Sequence, residues 1–349
     1  MSYVTKGRNV IHNGNFNVWQ RGTTFTSPYL NEFMADRWRE TSYTDGTITV
    51  TQDTGVPTVG SQYSTKIACT GADATIAEGQ ACWYGQAIET QDFWDMLAGR
   101  PIVLSFWVKS YQTGTFSVSL TERKPGYGTT GYCVKEYVIN ASATWEKKVV
   151  QFPPPSVLTF SSVANAACLS LTFGLALGAD WQTSTLGAWT STAGRVGSSN
   201  QTNFMSSTDN YWQISQVQLE AGTAATEFDA IPYADELARC QRYLVACGGE
   251  GVYERLGYGY CSETIAMRVG IPLPVKMRAI PTRTITSAAN FAVYAGVSLI
   301  AATAIDMTWS NSSIANMQIA VAAGLTVGQG SLLMTNNQTT DKIYLSAEI

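Results

Sequence analysis

The sequence predicts an all-β protein, and three observations carry this prediction. First, short segments alternate apolar and polar residues with a period of two, as half-buried strands do, for example at Thr47–Thr51 and Phe116–Leu120. Second, Gly, Pro, Asn and Ser cluster between such segments, as they do in turns. Third, only 14% of the 349 residues are charged, and hydroxyl and amide side chains are abundant instead. We therefore expect strands joined by turns over most of the chain.

Residues 1–231 are predicted to form one antiparallel domain. Ile102–Val108 is a nearly continuous apolar run, which fits a central strand buried on both faces. Alternation returns at Ala167–Phe173, and Tyr211–Leu219 closes the series. Short strands at this spacing predict an antiparallel sandwich of the jelly-roll kind. One short helix is expected at Thr90–Leu97, where apolar and acidic residues follow helical spacing.

A connecting helix is predicted over residues 232–249. Pro232 suits the first position of a helix, and Gly248 and Gly249 suit its end. Apolar residues follow one another at steps of three, four and three along this segment: Leu237, Cys240, Leu244 and Cys247. Such a stripe needs a partner surface. These four residues are therefore our candidates for an interface between copies of the chain.

Residues 250–349 are predicted to form a small C-terminal β-sandwich domain. Candidate strands include Phe291–Tyr294 and Met317–Ala322, and many of the apolar residues in this segment are small. A domain with so few large apolar side chains often completes its core with further copies of itself. We therefore expect a homo-oligomer, and a homotrimer in particular.

Composition argues against several classes of partner. The net charge is −4, with 22 Lys and Arg against 26 Asp and Glu, and no basic stripe is present, so nucleic acid is not expected as a partner. No run of about 20 apolar residues predicts membrane insertion. Polar sequence follows Met1 directly, which indicates folding in a cytosol. The seven cysteines contain no C-x-x-C pair, so reduced thiols are expected.

Several segments resemble one known family. They are Asn13–Gly22, Ala35–Trp38, Val217–Phe228, Glu236–Leu244 and Pro274–Thr282. The first two resemble the opening, the third the end, of a jelly-roll domain similar to carbohydrate-binding modules, which occurs in virion and tail-fibre proteins of tailed bacteriophages. The last two resemble the helix and the domain that follow it there. Residues 40–210 and the segment after about residue 290 match that family only in character.

This resemblance implies a structural protein of the phage virion, located on the tail or the capsid surface and synthesised in the host cytoplasm. The favoured role is a fibre or spike subunit that contacts other virion proteins and takes part in host attachment. A capsid-surface decoration protein that stabilises the shell is the alternative, and a polysaccharide depolymerase is the third possibility. Within the family motifs, Asn13–Phe16 is expected to be a tight turn with an aromatic plug, and Trp38 a core anchor.

Residue types that carry catalysis are sparse. His12 is the single histidine, and its neighbours form no nucleophile motif, so we expect a turn or surface residue. Glu89, Asp92 and Asp95 could supply the two carboxylates of a glycosidase, but their helical spacing favours one solvated helix face. Phosphate-loop, dinucleotide and His-x-x-x-His motifs are missing, so we expect no enzyme, cofactor or catalytic metal. Aspartates in turns leave a structural calcium ion undecided.

Aromatic residues in loops rich in Gly, Ser and Thr are the candidates for ligand binding. A large ring in such a loop has no evident core to join, and sugar rings stack on exposed aromatics. The candidates are Trp181, Trp189, Tyr127, Tyr132, Tyr258 and Tyr260. Their expected ligand is a host-surface polysaccharide. The alternative is that these rings line contacts between subunits or with a neighbouring virion protein, since interfaces are enriched in the same residues.

Overall fold

The part of the chain that the computed structural model describes comprises residues 9–57, 60–124, 128–155, 163–191 and 194–349. The chain forms two compact units, Met1–Glu236 together with Ile349, and Leu237–Glu348. Antiparallel strands make up most of both units, which confirms the all-β class predicted from the sequence. In this part of the chain, no helix combines the length and the apolar character needed to cross a membrane.

The first unit is a sandwich of two sheets. Its strands are β1 (Thr24–Thr26), β2 (Glu32–Phe33), β3 (Arg39–Ser42), β4 (Thr47–Asp53), β5 (Ser64–Gly71), β6 (Ala81–Glu89), β7 (Ile102–Ser110), β8 (Gly114–Lys124), β9 (Gly128–Ile139), β10 (Glu146–Phe152), β11 (Ala167–Leu177), β12 (Gln182–Thr183), β13 (Gly197–Ser198) and β14 (Tyr211–Ala221). The first sheet has the order β1-β4-β5-β14-β7-β10, and the second has the order β2-β3-β6-β11-β8-β9. Helix α1 (Thr90–Met96) follows β6, close to its predicted position.

Large aromatic side chains fill the space between the two sheets. Phe106 of β7 lies 5.0 Å from Phe173 of β11, measured between ring centroids, so the first sheet faces the second. Trp38 stacks on Tyr84 of β6 at 5.2 Å, and all four side chains are fully buried. Burying a ring of this size stabilises a fold by roughly 1.5–3 kcal/mol. The role of Trp38 as a core anchor is thereby confirmed.

The N-terminal turn is built around one asparagine. Asn13 adopts a φ of 54° and Phe16 a φ of 56°, in the left-handed region that asparagine tolerates better than most residues. The Asn13 side chain donates to the carbonyls of Val18 (2.8 Å) and Asp36 (3.1 Å) and accepts from the Val18 amide (3.0 Å). Phe16 is fully buried, as expected for an aromatic plug.

The second unit contains a closed barrel of six strands. The elements of this unit are α2 (Tyr233–Gln241, which begins in the first unit), β15 (Leu244–Cys247), β16 (Arg255–Glu263), β17 (Ala266–Pro272), β18 (Thr282–Thr284), β19 (Phe291–Ala295), β20 (Ser298–Met307), β21 (Ile314–Val321), β22 (Gly330–Thr335) and β23 (Ile343–Ser346). The barrel order is β16-β17-β21-β20-β19-β22, and β15-β23-β18 form a separate sheet. The sequence predicted a sandwich here; alternating strands fit either architecture, because both have one buried face.

The helix predicted over residues 232–249 is shorter in the structure. Helix α2 ends at Gln241, the Tyr243 amide donates to the Cys240 carbonyl (2.9 Å), and β15 then pairs with β23. The apolar spacing of this segment fits a helix, but its last residues find backbone partners far along the chain. A strand partner at such a distance leaves no signal in the local pattern, which explains the error.

The apolar stripe proposed as an oligomer interface is divided by this change. Cys240 and Leu244 are fully buried within the chain, so they cannot form a contact surface for a second copy. Leu237 and Cys247 are half-buried. Burial raises the pKa of the Cys247 thiol to about 11. The interface prediction is therefore corrected for Cys240 and Leu244, and it stays a prediction for the other two residues.

Candidate functional site

A cavity of about 570 Å³ opens on the face of the second sheet that points away from the core. Residues of β3, β6, β8 and β11 line it, together with loop residues that precede β2 and flank β12 and β13. Strand alternation explains why this face is free for a site. Side chains at alternate positions of β6, β8 and β11 enter the aromatic core, and their immediate neighbours point to the opposite side.

The floor of the cavity consists of small side chains. Ser170 and Thr172 of β11 lie beside Thr121 of β8 and Gly85 of β6 in the strand register. A Cβ atom at Gly85 would lie 2.3 Å from the Leu171 carbonyl oxygen, so no larger residue fits there. The result is a shallow floor that carries hydroxyl groups, and Gly85 lies next to it in the strand register without a side chain.

Three aromatic rings form one wall of the cavity, which we call the aromatic wall: Tyr43, Trp83 and Trp181. The ring centroids of Trp83 and Trp181 are 4.9 Å apart, and Tyr43 lies 6.0 Å from Trp83 and 6.1 Å from Trp181. Burial raises the pKa of Tyr43 to about 12, so its hydroxyl keeps its proton at neutral pH. The wall therefore offers flat apolar surfaces and one hydroxyl donor.

Hydrogen bonds hold the loop that carries Trp181. The indole Nε1 of Trp181 donates to the Gly79 carbonyl (2.9 Å), and the Trp181 carbonyl accepts from the Val196 amide (2.9 Å). The Arg195 guanidinium donates to the carbonyls of Ala179 (2.9 Å) and Asp180. A side chain fixed in this way loses little conformational freedom when a ligand binds, which favours affinity.

Two arginines line the cavity at different strands. Arg39 lies on β3 and Arg123 on β8, and β6 and β11 run between them. Three inter-strand steps separate their backbones by about 14 Å. Burial lowers the pKa of the Arg123 guanidinium, and no carboxylate of a described residue offsets that effect. Among the described residues that line the cavity, none is aspartate or glutamate.

The floor also contains a hydroxyl group without a partner. Ser170 is 4% exposed, and its Oγ forms no hydrogen bond with any residue that the structure describes. Leaving such a group unsatisfied costs roughly 1–3 kcal/mol. A polar group bound on the floor of the cavity would be placed to supply the missing hydrogen bond.

The structure separates the six aromatic residues proposed from the sequence. Trp181 lies in the cavity. Trp189 is only 8% exposed, joins the core and donates its indole N–H to the Pro153 carbonyl (2.7 Å), and Tyr132 is 3% exposed. Neither ring offers a face to a ligand, so both assignments are corrected. Their burial follows from a backbone bridge between Tyr132 and residue 190, which draws the loop onto the sheet edge. Tyr127 lies outside the described residues.

Apart from Trp181, the lining residues were not anticipated from the sequence; the most important for ligand chemistry are Tyr43, Trp83, Arg39 and Arg123. One signal for Trp83 is present in the sequence. Trp83 and Tyr84 are adjacent in one strand, and adjacent strand residues point to opposite faces. When one of them enters the core, the other must lie on the outer face. The arginines carry no comparable local signal.

Tyr258 and Tyr260 lie on a different surface, in the second unit. They share one face of β16 and are 71% and 52% exposed, and the nearby Trp309 is 80% exposed. The Arg268 guanidinium lies 4.5 Å from the centroid of the Trp309 ring. We call these four residues the barrel platform. They border a shallow cavity of about 300 Å³.

His12 is a turn residue, as expected, but its side chain is buried and not on the surface. It is 7% exposed, its Nε2 lies 3.6 Å from Oδ2 of Asp92 in α1, and its amide donates to Oε1 of Gln86 (2.9 Å). Asp92 was expected to be part of a solvated helix face; its side chain is 38% exposed, although it faces His12.

No family model matches the chain. A search of curated proteins also gave no match. Among solved structures, the enzymatically active domain of bacteriophage CBA120 tailspike protein 4 is similar at 16% identity and a TM-score of 0.32, over 62% of this chain and 22% of that one. The chain thus spans less than a quarter of the tailspike structure.

Two further structures are similar in the same range. An arabinose-bound α-L-arabinofuranosidase matches at 12% identity and a TM-score of 0.36, over 69% of this chain and 30% of that one. A family 11 carbohydrate-binding module of Clostridium thermocellum, in complex with a mixed-linked tetrasaccharide, matches at 10% identity and a TM-score of 0.32, over 58% of this chain and 98% of that one. Similarity at TM-scores this low carries no functional argument.

Proposed function

We propose that this protein is a glycan-binding attachment subunit of a tailed-phage fibre or spike, and that the cavity of the first unit is its binding site. The observation that carries the proposal is the aromatic wall. Three rings converge on an open cavity whose floor carries hydroxyl groups. Its volume of about 570 Å³ lies within the usual range of small-ligand sites, roughly 300–1,000 Å³.

The chemistry of a sugar ring matches this arrangement. One face of a pyranose is rich in C–H groups and stacks on an aromatic ring, while its hydroxyls need hydrogen-bond partners at the edges. Trp83 and Trp181 supply the apolar faces, and Ser170, Thr121 and Thr172 supply hydroxyls. Single sites of this kind bind weakly, at about millimolar Kd, and a repeating polysaccharide raises the effective affinity through avidity.

The lining supports binding more than cleavage. A glycosidase places two carboxyl groups about 5–9.5 Å apart around the scissile bond. The described lining of this cavity contains no carboxyl group. This is the reason for proposing an attachment protein over a depolymerase at this site.

The virion role is supported by the sequence motifs around the first domain and the α2 segment. A location on the tail, contacts with other virion proteins and a trimeric state belong to this proposal. A decoration protein on the capsid surface remains the competing role. Glycan binding separates the two, because a shell-stabilising protein has no need of a sugar site.

The test begins with a glycan array probed with the purified full chain, followed by calorimetry on the best ligand. Trp181→Ala should weaken binding about tenfold or more, since truncating an aromatic hot spot typically costs about 2 kcal/mol. Trp94→Ala is the matched control, because Trp94 is 51% exposed in the same unit and lies outside the cavity. If Trp181→Ala and Trp94→Ala bind as the wild type does, the cavity is not the site.

A further inference from the structure

We infer that the ligand of the cavity is an acidic glycan, in which a sugar carboxylate binds Arg123 while the sugar ring lies against the aromatic wall. This inference rests on the function proposed above and specifies its ligand. The juxtaposition that carries it is a half-buried guanidinium beside three aromatic rings, in a cavity whose described lining offers no acidic residue.

Arg123 is the central residue of the argument. Its side chain is half-buried, and it forms no hydrogen bond or ion pair with any residue that the structure describes. Removing a charged group from water without a partner is costly, so buried guanidinium groups are normally paired. Burial also lowers the pKa of the Arg123 guanidinium. A ligand carboxylate would supply that partner.

The shape of the guanidinium favours a carboxylate. Its planar set of N–H donors binds the two oxygens of a carboxylate through parallel hydrogen bonds, which are shorter and stronger than those between neutral groups. The described lining contains a second arginine, Arg39, and no aspartate or glutamate.

The cavity differs in charge from the molecule as a whole. The chain carries a net charge of −4, yet the described lining contributes two positive charges. Two exposed acidic residues are sequence neighbours of lining residues: Asp180, and Glu32, which accepts a hydrogen bond from the Tyr29 amide (3.3 Å). Water and salt screen an exposed carboxylate strongly and a half-buried guanidinium much less. The local field therefore favours an anion inside the cavity.

The decisive probes are acidic polysaccharides and their carboxyl-reduced forms. Polygalacturonate, alginate and hyaluronan carry one carboxylate on each uronic acid, and reduction converts that group to a neutral hydroxymethyl without changing the backbone. An array containing uronic, sialic and neutral glycans is measured first. Calorimetry then compares each acidic ligand with its reduced form. Sulfated dextran serves as a probe of nonspecific anion binding.

We expect the acidic form to bind at least about tenfold more tightly than the reduced form, since hydrogen bonds to charged groups contribute about 1.5–3 kcal/mol. Arg123→Gln should bring the two forms to within about twofold of each other. Trp181→Ala should weaken both forms alike. Arg255→Gln is the matched control, because it removes the same charge from an exposed residue in β16.

The outcomes separate this inference from the proposed function. Equal binding of acidic and reduced forms, or an array that responds only to neutral glycans, overturns the acidic class while Trp181→Ala still supports a glycan site. Binding of sulfated dextran with an affinity equal to that of the uronic polymers also overturns it, since the carboxylate would then have no special role. If no glycan on the array binds, both the acidic-ligand inference and the proposed glycan-binding function are overturned.

Discussion

The two aromatic surfaces of this protein differ in how their rings are held. In the first unit, Trp181 is half-buried and its backbone and indole groups are fixed by hydrogen bonds. In the barrel platform, Tyr258 and Trp309 are 71% and 80% exposed. A concave, pre-organised surface suits a small ligand that must be surrounded, whereas an exposed surface suits a partner that brings its own complementary face. Aromatic content alone therefore does not identify a sugar site.

The largest effect is expected at Gly85, which lies beside the floor residue Thr172 in the strand register. Gly85→Ala forces a methyl group to 2.3 Å from the Leu171 carbonyl oxygen, and relief requires movement of the backbone of β6 or β11. We expect a loss of about 3 kcal/mol in the free energy of unfolding, together with loss of glycan binding. Gly330→Ala in β22 of the barrel is the control, because the added methyl group meets nothing within 4 Å. Urea unfolding measures both variants, and equal stability of the two would contradict the close fit.

An intermediate effect is expected at the barrel platform. If this surface contacts another copy of the chain, Trp309→Ala should weaken self-association by about 2 kcal/mol, or about thirtyfold, as truncation of an interface tryptophan does. Glycan binding in the cavity should not change. Light scattering and analytical ultracentrifugation over a concentration series measure self-association, and calorimetry measures glycan binding.

Trp94→Ala serves again as the control for removal of an exposed tryptophan. Loss of glycan binding in Trp309→Ala with unchanged self-association would reverse the comparison, since the barrel platform would then be the sugar site.

The smallest effect concerns a carboxyl group behind the cavity. Glu40 of β3 is fully buried, and this burial raises its pKa well above the ordinary value of 4.5. A hydrogen bond from the Cys82 thiol (3.6 Å) lowers the pKa, and the negative charge of Glu32 raises it further. The unfolded chain ionises Glu40 at lower pH than the folded chain does. The contribution of neutral Glu40 to the free energy of unfolding is therefore fully present below about pH 4.5. It is lost as the pH rises toward the pKa of Glu40 in the folded chain.

Glu40→Gln should consequently raise the Tm of the first unit by a few degrees at pH 7, because about 1 kcal/mol shifts the Tm of a unit of this size by about 2–4 °C. The difference from the wild type should shrink as the pH falls toward 4.5. Calorimetric scans between pH 4 and pH 8 measure both values. A difference that grows at low pH would show that the sign of the shift is reversed. Glycan affinity should stay unchanged, since Glu40 does not line the cavity.

The sequence was sufficient where the pattern is local. Alternation in β4 and β8 predicted strands, and the Asn13 turn and the Trp38 anchor lie where they were expected. Prediction failed where the structure depends on pairing between residues that are far apart in the sequence. Trp181 and Trp189 lie in one polar loop and are equivalent by sequence, yet a backbone bridge to β9 buries Trp189, while Trp181 joins the aromatic wall. The end of α2 was missed for the same reason. The residues that follow it form β15, whose partner β23 is far away in the sequence.

Alternation along the cavity strands has an evolutionary consequence. On β11, Leu171 belongs to the core, while its neighbours Ser170 and Thr172 belong to the floor. If the cavity binds a glycan as proposed, its specificity and the folding of the sandwich depend on different, interleaved positions of the same strand. Substitutions at the floor positions can change which sugar is accepted while the packing between the sheets is retained. Under the proposed function, point mutations at Ser170 or Thr172 could therefore change the accepted glycan while the packed positions stay the same, whereas Gly85 of β6 does not have this freedom.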